Sequence, residues 1–231
     1  VTRDLSLWEG CAPLSHAPMA GRFAVLEPLS MDHAAGLARA FDDEVAGWQY
    51  LAYGPLDAAG WEAFVPWARG LPETLLYAVC DPEGVPKGVA GFLSIRPAHG
   101  VAEIGHLNFS AALRRSPAAT EALTMMMAHV FASGYRRCEW KCDAQNLGSR
   151  RAAQRLGFSH EGVFHKHMVV KERNRDTAWF AVTDGSWPGL SAAFATWLAP
   201  DNFGPDGRQV RALSDVTRPH LVTLDPALSA C

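Results

Sequence analysis

The stretch "ALRRSPAATEAL" (Ala112–Leu123) decides how the middle of this chain is read. Ser116 followed by Pro117 is a helix-start pair. Serine caps a first turn, and proline is best tolerated at the first helical position, where its missing N–H would have no partner anyway. The amides of Ala118, Ala119 and Thr120 are then expected to lack intrahelical acceptors and to face out of the positive end of the helix dipole. An anion can sit there: the side chains at 118 and 119 are small, and Arg114 and Arg115 stand just before the turn. The plainer reading is a well-capped helix with two solvated arginines, and there is no lysine of the P-loop kind.

Outward from the turn, the helix is predicted to run to about Ser133, with Leu123, Met126, Met127 and Val130 on one face and Gly134 as the stop. The methionines read as core rather than as an adaptable binding surface. "VAEIGHLNFS" (Val101–Ser110) precedes the turn as a strand, and before it "LLYAVC" and "VAGFLSI" form a hairpin around "DPEGVPKG". Upstream lie the strand "RFAVLEPL", the helix "SMDHAAGLARAF", the aromatic stretch "WQYLAYGPL" (Trp48–Leu56) and the helix "AAGWEAFVPWARG", capped by Asp57. Downstream come the strand "RRCEWKC", the turn "DAQNLGS", the short helix "RRAAQRLGF", and a long hairpin, "GVFHKHMVVK" and "TAWFAVTD", turning at "ERNRD". "GLSAAFATWLA" is one more helix. The segment after Pro200, with only "HLVTL" strand-like, fits a linker, an arm over the partner of a homodimer, or a partly disordered tail. The order is that of an α/β domain with a mixed sheet.

Bulk properties narrow the function. The formal net charge of −3 over 231 residues offers no basic footprint for a nucleic-acid partner. No apolar run approaches the roughly 20 residues that span a bilayer, and "VTRDLSLWEG" lacks a signal-peptide profile. Cys11, Cys80, Cys138, Cys142 and Cys231 are an odd, scattered set that suits reduced thiols in a cytosolic protein. Cys138 and Cys142, with His160, His165 and His167 downstream, suggest zinc, but C-x3-C within an apolar strand lacks the knuckle of structural sites, so no metal is expected.

Three pieces in order, "EIGHLNFS", "RRSPAATEAL" and "KCDAQNLGSRRAAQRLGFSHEGVF", resemble the GCN5-related N-acetyltransferases (GNAT), and within them the RimJ/RimL-type branch that acetylates ribosomal-protein N-termini. The likeness covers Arg22 to Trp187. It divides the chain into an N-terminal arm (1–21), an acetyltransferase domain (22–187), and a C-terminal helix and tail (188–231). It implies acetyl-CoA as co-substrate, with the pantetheine arm lying where the Ile104–Phe109 and Arg137–Cys142 strands splay apart, and the pyrophosphate on the turn at Arg114, Arg115, Ser116, Ala118, Ala119 and Thr120. Pro117 stands where the family places a glycine, which removes one amide donor. Arg115 can offset that loss by charge.

The resemblance also implies roles in catalysis. Backbone amides near Leu107 and Asn108 occupy the family's oxyanion position, and Phe109 beside them is a further cofactor-binding candidate. Asn146 and Ser149 open the short helix, and Ser149 is the proton donor to the departing thiolate, since no tyrosine follows "LGF". Alternatively Ser149 caps the helix and Asn146 shapes the turn. The base is Glu103, directly or through water, first and His106 second; alternatively either is a hydrogen-bonded structural residue. Their odd separation puts them on opposite faces of a regular strand unless a bulge intervenes. Trp48, Tyr50, Tyr53 and Arg175, with Arg173 and Asp176, are the acceptor-binding candidates. Otherwise the aromatics close the core and Arg175 pairs with Asp176 across a turn. The acceptor is an amine: a peptide or protein N-terminus, or a small molecule. A non-catalytic acyl-CoA-sensing module is the third reading.

Overall fold

The computed structural model describes residues 4–42 and 46–228, so Cys231 and the outermost residues of both terminal segments lie outside it. Eight strands form one sheet in the order β1-β2-β3-β4-β5-β6-β8-β7. They are β1 (Met19–Ala20), β2 (Val25–Pro28), β3 (Leu75–Cys80), β4 (Pro86–Arg96), β5 (Val101–Phe109), β6 (Arg137–Asp143), β7 (Ser159–Val170) and β8 (Arg173–Thr183). Every neighbouring pair is antiparallel except β5 and β6. A parallel pair needs a crossover, and α3 (Pro117–Ala132) supplies it. This is the mixed α/β architecture expected.

Strand β3 shows why the sheet is covered on both faces. Its run "LLYAVC" has no polar residue to turn toward water. Tyr77 and Val79 point into one core with Phe92, Ile104 and the α3 residues Met126, Met127 and Val130. Leu76, Ala78 and Cys80 point into the other, against Leu37 of α1 (Ala34–Ala40) and Trp61 and Phe64 of α2 (Ala58–Arg69). Both helix-facing methionines are fully buried, as their spacing predicts.

Two departures from regularity create the site. Parallel pairing of β5 with β6 lasts three residues, from Val101–Arg137 to Glu103–Glu139, and then stops. Beyond it the two strands diverge. The β4–β5 register meanwhile slips by one residue between Gly91–Gly105 and Val89–Asn108, which inserts an extra residue into β5 at the His106–Leu107 position.

The second hairpin differs from its expected form. Strands β7 and β8 run to Val170 and from Arg173, so the turn is only Lys171–Glu172, both left-handed at φ 48° and 62°. That is the backbone of a two-residue hairpin turn without the usual Asn or Gly, so the sequence gives no signal for it. Arg173, Arg175 and Asp176 therefore lie in β8, not in a turn.

After α5 (Trp187–Leu198) the chain packs back on the domain through α6 (Leu213–Thr217). "HLVTL" forms no strand. It docks instead on the start of β7, where the Val222 amide donates to Ser159 Oγ (2.9 Å) and the Thr223 hydroxyl to the His160 carbonyl. Asp225 is fully buried and grips Arg150 of α4 (Leu147–Arg155) with both oxygens, at 2.6 and 2.7 Å. At the other end of the chain, Glu121 of α3 is buried and accepts the amides of Arg22, Phe23 and Ala24, which ties the segment before β2 to the crossover helix.

Candidate active site

Between the diverging strands lies a cleft of about 390 Å³. Its floor is β5 from Glu103 to Leu107, its wall is β6 from Trp140 to Asp143 with Asn146 and Ser149 of α4, and its roof is the Gly47–Tyr53 loop with Met168 and Arg175 of the hairpin. The roof is fastened on both sides. Tyr50 donates its hydroxyl to the Gln145 carbonyl (3.2 Å), and Lys171 Nζ donates to the Trp48 and Tyr53 carbonyls at 3.2 and 3.4 Å.

The β5 bulge settles how Glu103 and His106 relate. In a regular strand they would face opposite sides. The left-handed His106 (φ 49°) and the extra residue turn both into the cleft. Glu103 is buried and ion-paired to Lys141 Nζ at 2.5 Å, with Ser94 Oγ at 3.4 Å. Burial pushes its carboxyl above the usual range, and the Lys141 ammonium pulls partly back. His106 stacks on the Tyr53 ring (5.7 Å between centroids, 27° between planes) and meets the Trp67 edge. Burial lowers its pKa, which favours neutral imidazole.

On the opposite wall, Asn146 rather than Ser149 caps α4: its Oδ1 accepts the Ser149 amide at 3.0 Å. That leaves the Ser149 side chain free of capping duty. Its Oγ accepts the Trp140 indole N–H at 3.0 Å, so its own hydrogen is available for another partner. The Cys142 thiol is one such partner: its hydrogen bond with Ser149 offsets part of the burial that leaves the thiol raised to about 11.

The α3 turn is tighter than expected. Ser116 caps as predicted, accepting the Ala119 amide at 3.1 Å and donating to the Leu113 carbonyl at 2.6 Å. The Thr120 amide reaches the Ser116 carbonyl at 3.4 Å. Two of the three amides expected to be free are thus engaged: Ala119 by the serine side chain, which a glycine would lack, and Thr120 by the first regular backbone bond of the helix. The Ala118 amide remains, and the left-handed Arg115 (φ 58°) precedes it with an exposed side chain, as is that of Arg114.

The acceptor candidates divide. Trp48 is a core residue, 2% exposed, against Phe41 and Trp61, and a side chain on Gly54 would collide with its ring. Tyr50 and Tyr53 line the cleft. Arg175 lines it too and does not pair with Asp176, whose neighbours along a strand face opposite sides. Asp176 instead meets His165 Nδ1 (2.9 Å), the Lys166 amide and Asn174, which hold its carboxyl down at about 2. Leu107 lines the cleft, while the Asn108 side chain is buried with neither polar atom partnered. Phe109 is half-buried at the end of β5.

Lys141 and Trp140 escaped sequence reasoning. Only the short parallel register brings Lys141 to Glu103, and no local pattern encodes it. Cys138 and Cys142 are buried. Among the described residues the one His/Cys/carboxylate trio close enough to share an ion is Glu27, His33 and Cys80, none of which lines the cleft. His33 Nε2 there meets Glu27 at 2.9 Å, and its Nδ1 closes a cap on Ser30. No described helix is long and apolar enough to cross a membrane.

Comparison with known proteins agrees with the fold. Residues 24–159 match the family model for the acetyltransferase (GNAT) domain. A GCN5-related N-acetyltransferase from Brucella melitensis is 40% identical, covers 91% of this chain and 98% of its own, and superposes with a TM-score of 0.88. A protein from Chromobacterium violaceum described as a probable GNAT-family acetyltransferase is also 40% identical over 81% of this chain and 96% of its own, at a TM-score of 0.76. The fold extends to the microcin C7 self-immunity acetyltransferase MccE, solved with acetyl-CoA and AMP, at 19% identity over 71% of this chain and 93% of that one, at a TM-score of 0.63. No curated protein matches the chain.

Proposed function

The chain belongs to the GNAT acetyltransferases, and we propose that it transfers the acetyl group of acetyl-CoA to a primary amine, with a peptide or protein N-terminus as the favoured acceptor class. The observation that carries the reading is the end of β5–β6 pairing at Glu103–Glu139. The gap it opens has a buried carboxylate on one side and a hydroxyl beside a sulfur on the other. The catalytic unit is residues 22–187, with the arm before it and the helix and tail after it as supports.

Acetyl-CoA supplies the thioester, and the residues supply the rest. The Leu107 and Asn108 amides, at the bulge, stabilise charge on the carbonyl oxygen. Glu103 takes the proton of the attacking amine directly or through water, its burial raising its proton affinity above that of an exposed carboxylate. His106, neutral and held against Tyr53, is the second candidate for that task. Ser149 gives its proton to the departing thiolate and regains one from solvent as Glu103 releases the one it took, and the Trp140 N–H on Oγ keeps the hydroxyl hydrogen pointed away from the indole. Asn146 fixes the wall on which Ser149 stands. At the far end, the Ala118 amide with Arg114 and Arg115 forms the pyrophosphate seat. Its affinity then rests more on the two guanidinium groups than on backbone donors, since Ser116 occupies the Ala119 amide.

The test is release of free thiol from acetyl-CoA with a mixed panel of amines, followed by the mass of the product. Amine-dependent thiol release with a mass gain of one acetyl group supports transfer, and the mass names the acceptor class. A folded chain that binds acetyl-CoA and turns over no amine is a sensor, and the proposal falls.

A further inference from the structure

The cleft holds four charged side chains, from Glu103, Lys141, Asp143 and Arg175. Glu103 and Lys141 neutralise each other at 2.5 Å. Asp143 is half-buried and its Oδ1 accepts the Gln145 amide at 2.8 Å, holding the turn before α4. Arg175 makes no ion pair or hydrogen bond among the described residues, and its Nε is sealed from solvent without an acceptor. A buried guanidinium nitrogen without a partner carries a desolvation cost that a ligand can relieve.

The position of Arg175 indicates which ligand. On β8 it alternates with Thr177 and Trp179, and Trp179 lies beside Lys141, whose ammonium sits 4.6 Å over the indole and reaches Glu103. Arg175 thus shares the sheet face of Glu103; its Cα is about 13 Å along the strand from that of Trp179, and its long side chain extends into the cleft that Glu103 lines. The groups around it are neutral or already engaged: Met168 opposite on β7, Tyr50 in the roof with its hydroxyl donated to Gln145, and Asp176 turned to the other face toward His165 and Lys166. Among the described residues lining the cleft, none hydrogen-bonds or ion-pairs with it.

Resting on the acetyltransferase reading above, we infer that the acceptor is an amine that also carries a carboxylate, and that Arg175 is the residue that selects it. The amine lies at the Glu103–His106 end and the carboxylate at the hairpin end, where the planar guanidinium offers it a charge-assisted contact. Two sources share that chemistry: the carboxylate of a free amino acid, and an acidic side chain near the N-terminus of a peptide.

The test uses matched acceptor pairs in the thiol-release assay with the full chain: a free amino acid against its amide, and a peptide with Asp or Glu near its N-terminus against its Asn or Gln counterpart. The acid member of at least one pair is expected to be favoured about tenfold or more in kcat/KM, chiefly through KM, as fits a charge-assisted hydrogen bond. The pair that shows it names the source. Arg175→Gln should erase the preference while leaving the melting temperature and the KM for acetyl-CoA unchanged, and Arg175→Lys should retain part of it. Equal use of acid and amide by the parent chain, or a preference that survives Arg175→Gln, overturns this inference alone. Absence of turnover with every amine, in a folded chain that binds acetyl-CoA, overturns the transferase reading and this inference with it.

Discussion

Asp225→Ala tests how the tail supports the cleft. The Asp225 carboxylate is fully buried, and Arg150 answers it with Nε at 2.7 Å and Nη2 at 2.6 Å, while Nη1 reaches the Ala144 carbonyl at 2.7 Å. Truncating the acid leaves a buried guanidinium with only the carbonyl. Breaking such a pair costs about 3–5 kcal/mol. For a chain of this size, each kcal/mol moves the melting temperature by about 2–4 °C, so the variant should melt roughly 10 °C lower. Replacing both partners, as Arg150→Met with Asp225→Leu, should recover most of the loss, since no charge is then stranded. The pH dependence has a definite sign. Burial alone would raise the Asp225 pKa, but the Arg150 guanidinium and the Ala227 amide hold it below its ordinary value. The pair's contribution is therefore complete above the unfolded carboxyl's pKa of about 4 and fades as pH falls below it. Scanning calorimetry of parent and variant should show the gap at pH 7 and its narrowing below about pH 4. The function should respond too: Arg150 follows Ser149 and grips Ala144, so its release loosens the turn that presents Asn146 and Ser149, and the Kd for acetyl-CoA should rise several-fold. A variant that melts within about 2 °C of the parent at pH 7 refutes the argument.

Other outcomes follow from the same geometry. Ser149→Ala should lower kcat about 100-fold while leaving the Kd for acetyl-CoA within about twofold; an unchanged kcat removes Ser149 as proton donor. Glu103→Gln should abolish the acid limb of the kcat/KM–pH profile, because a base works only when deprotonated and activity rises through its pKa; a limb that persists transfers the role to His106. Glu121→Ala should cost at least about 3 kcal/mol, read by denaturant melts, since three buried or half-buried amides lose a charged acceptor.

Local physics made part of this molecule readable in advance. The Ser116 cap, the Met126–Met127–Val130 face, the Gly134 stop and the strand order around α3 all arise from contacts within a few residues, which leave a pattern in the chain. The residues that shape the cleft do not. Lys141 meets Glu103 through a parallel register 38 positions apart in the chain (141 minus 103). The β5 bulge is marked only by Gly105, which directly precedes it, while the left-handed backbone falls on His106. The Lys171–Glu172 turn has no such marker. Trp48 stays open in the sequence between core and acceptor, because a loop of aromatics reads alike whether it faces the core or the cleft; it faces the core. The tail's docking is equally hidden: one buried aspartate in a Pro- and Gly-rich segment resembles any other until Arg150 is found opposite it.

The account stands on the cleft's being an acetyl-CoA site. Calorimetric titration of acetyl-CoA into the folded chain tests it most directly. Saturable one-to-one binding is expected, weakened when Arg114 and Arg115 are both replaced by Gln. A folded chain that shows no heat and no thermal stabilisation with acetyl-CoA contradicts it.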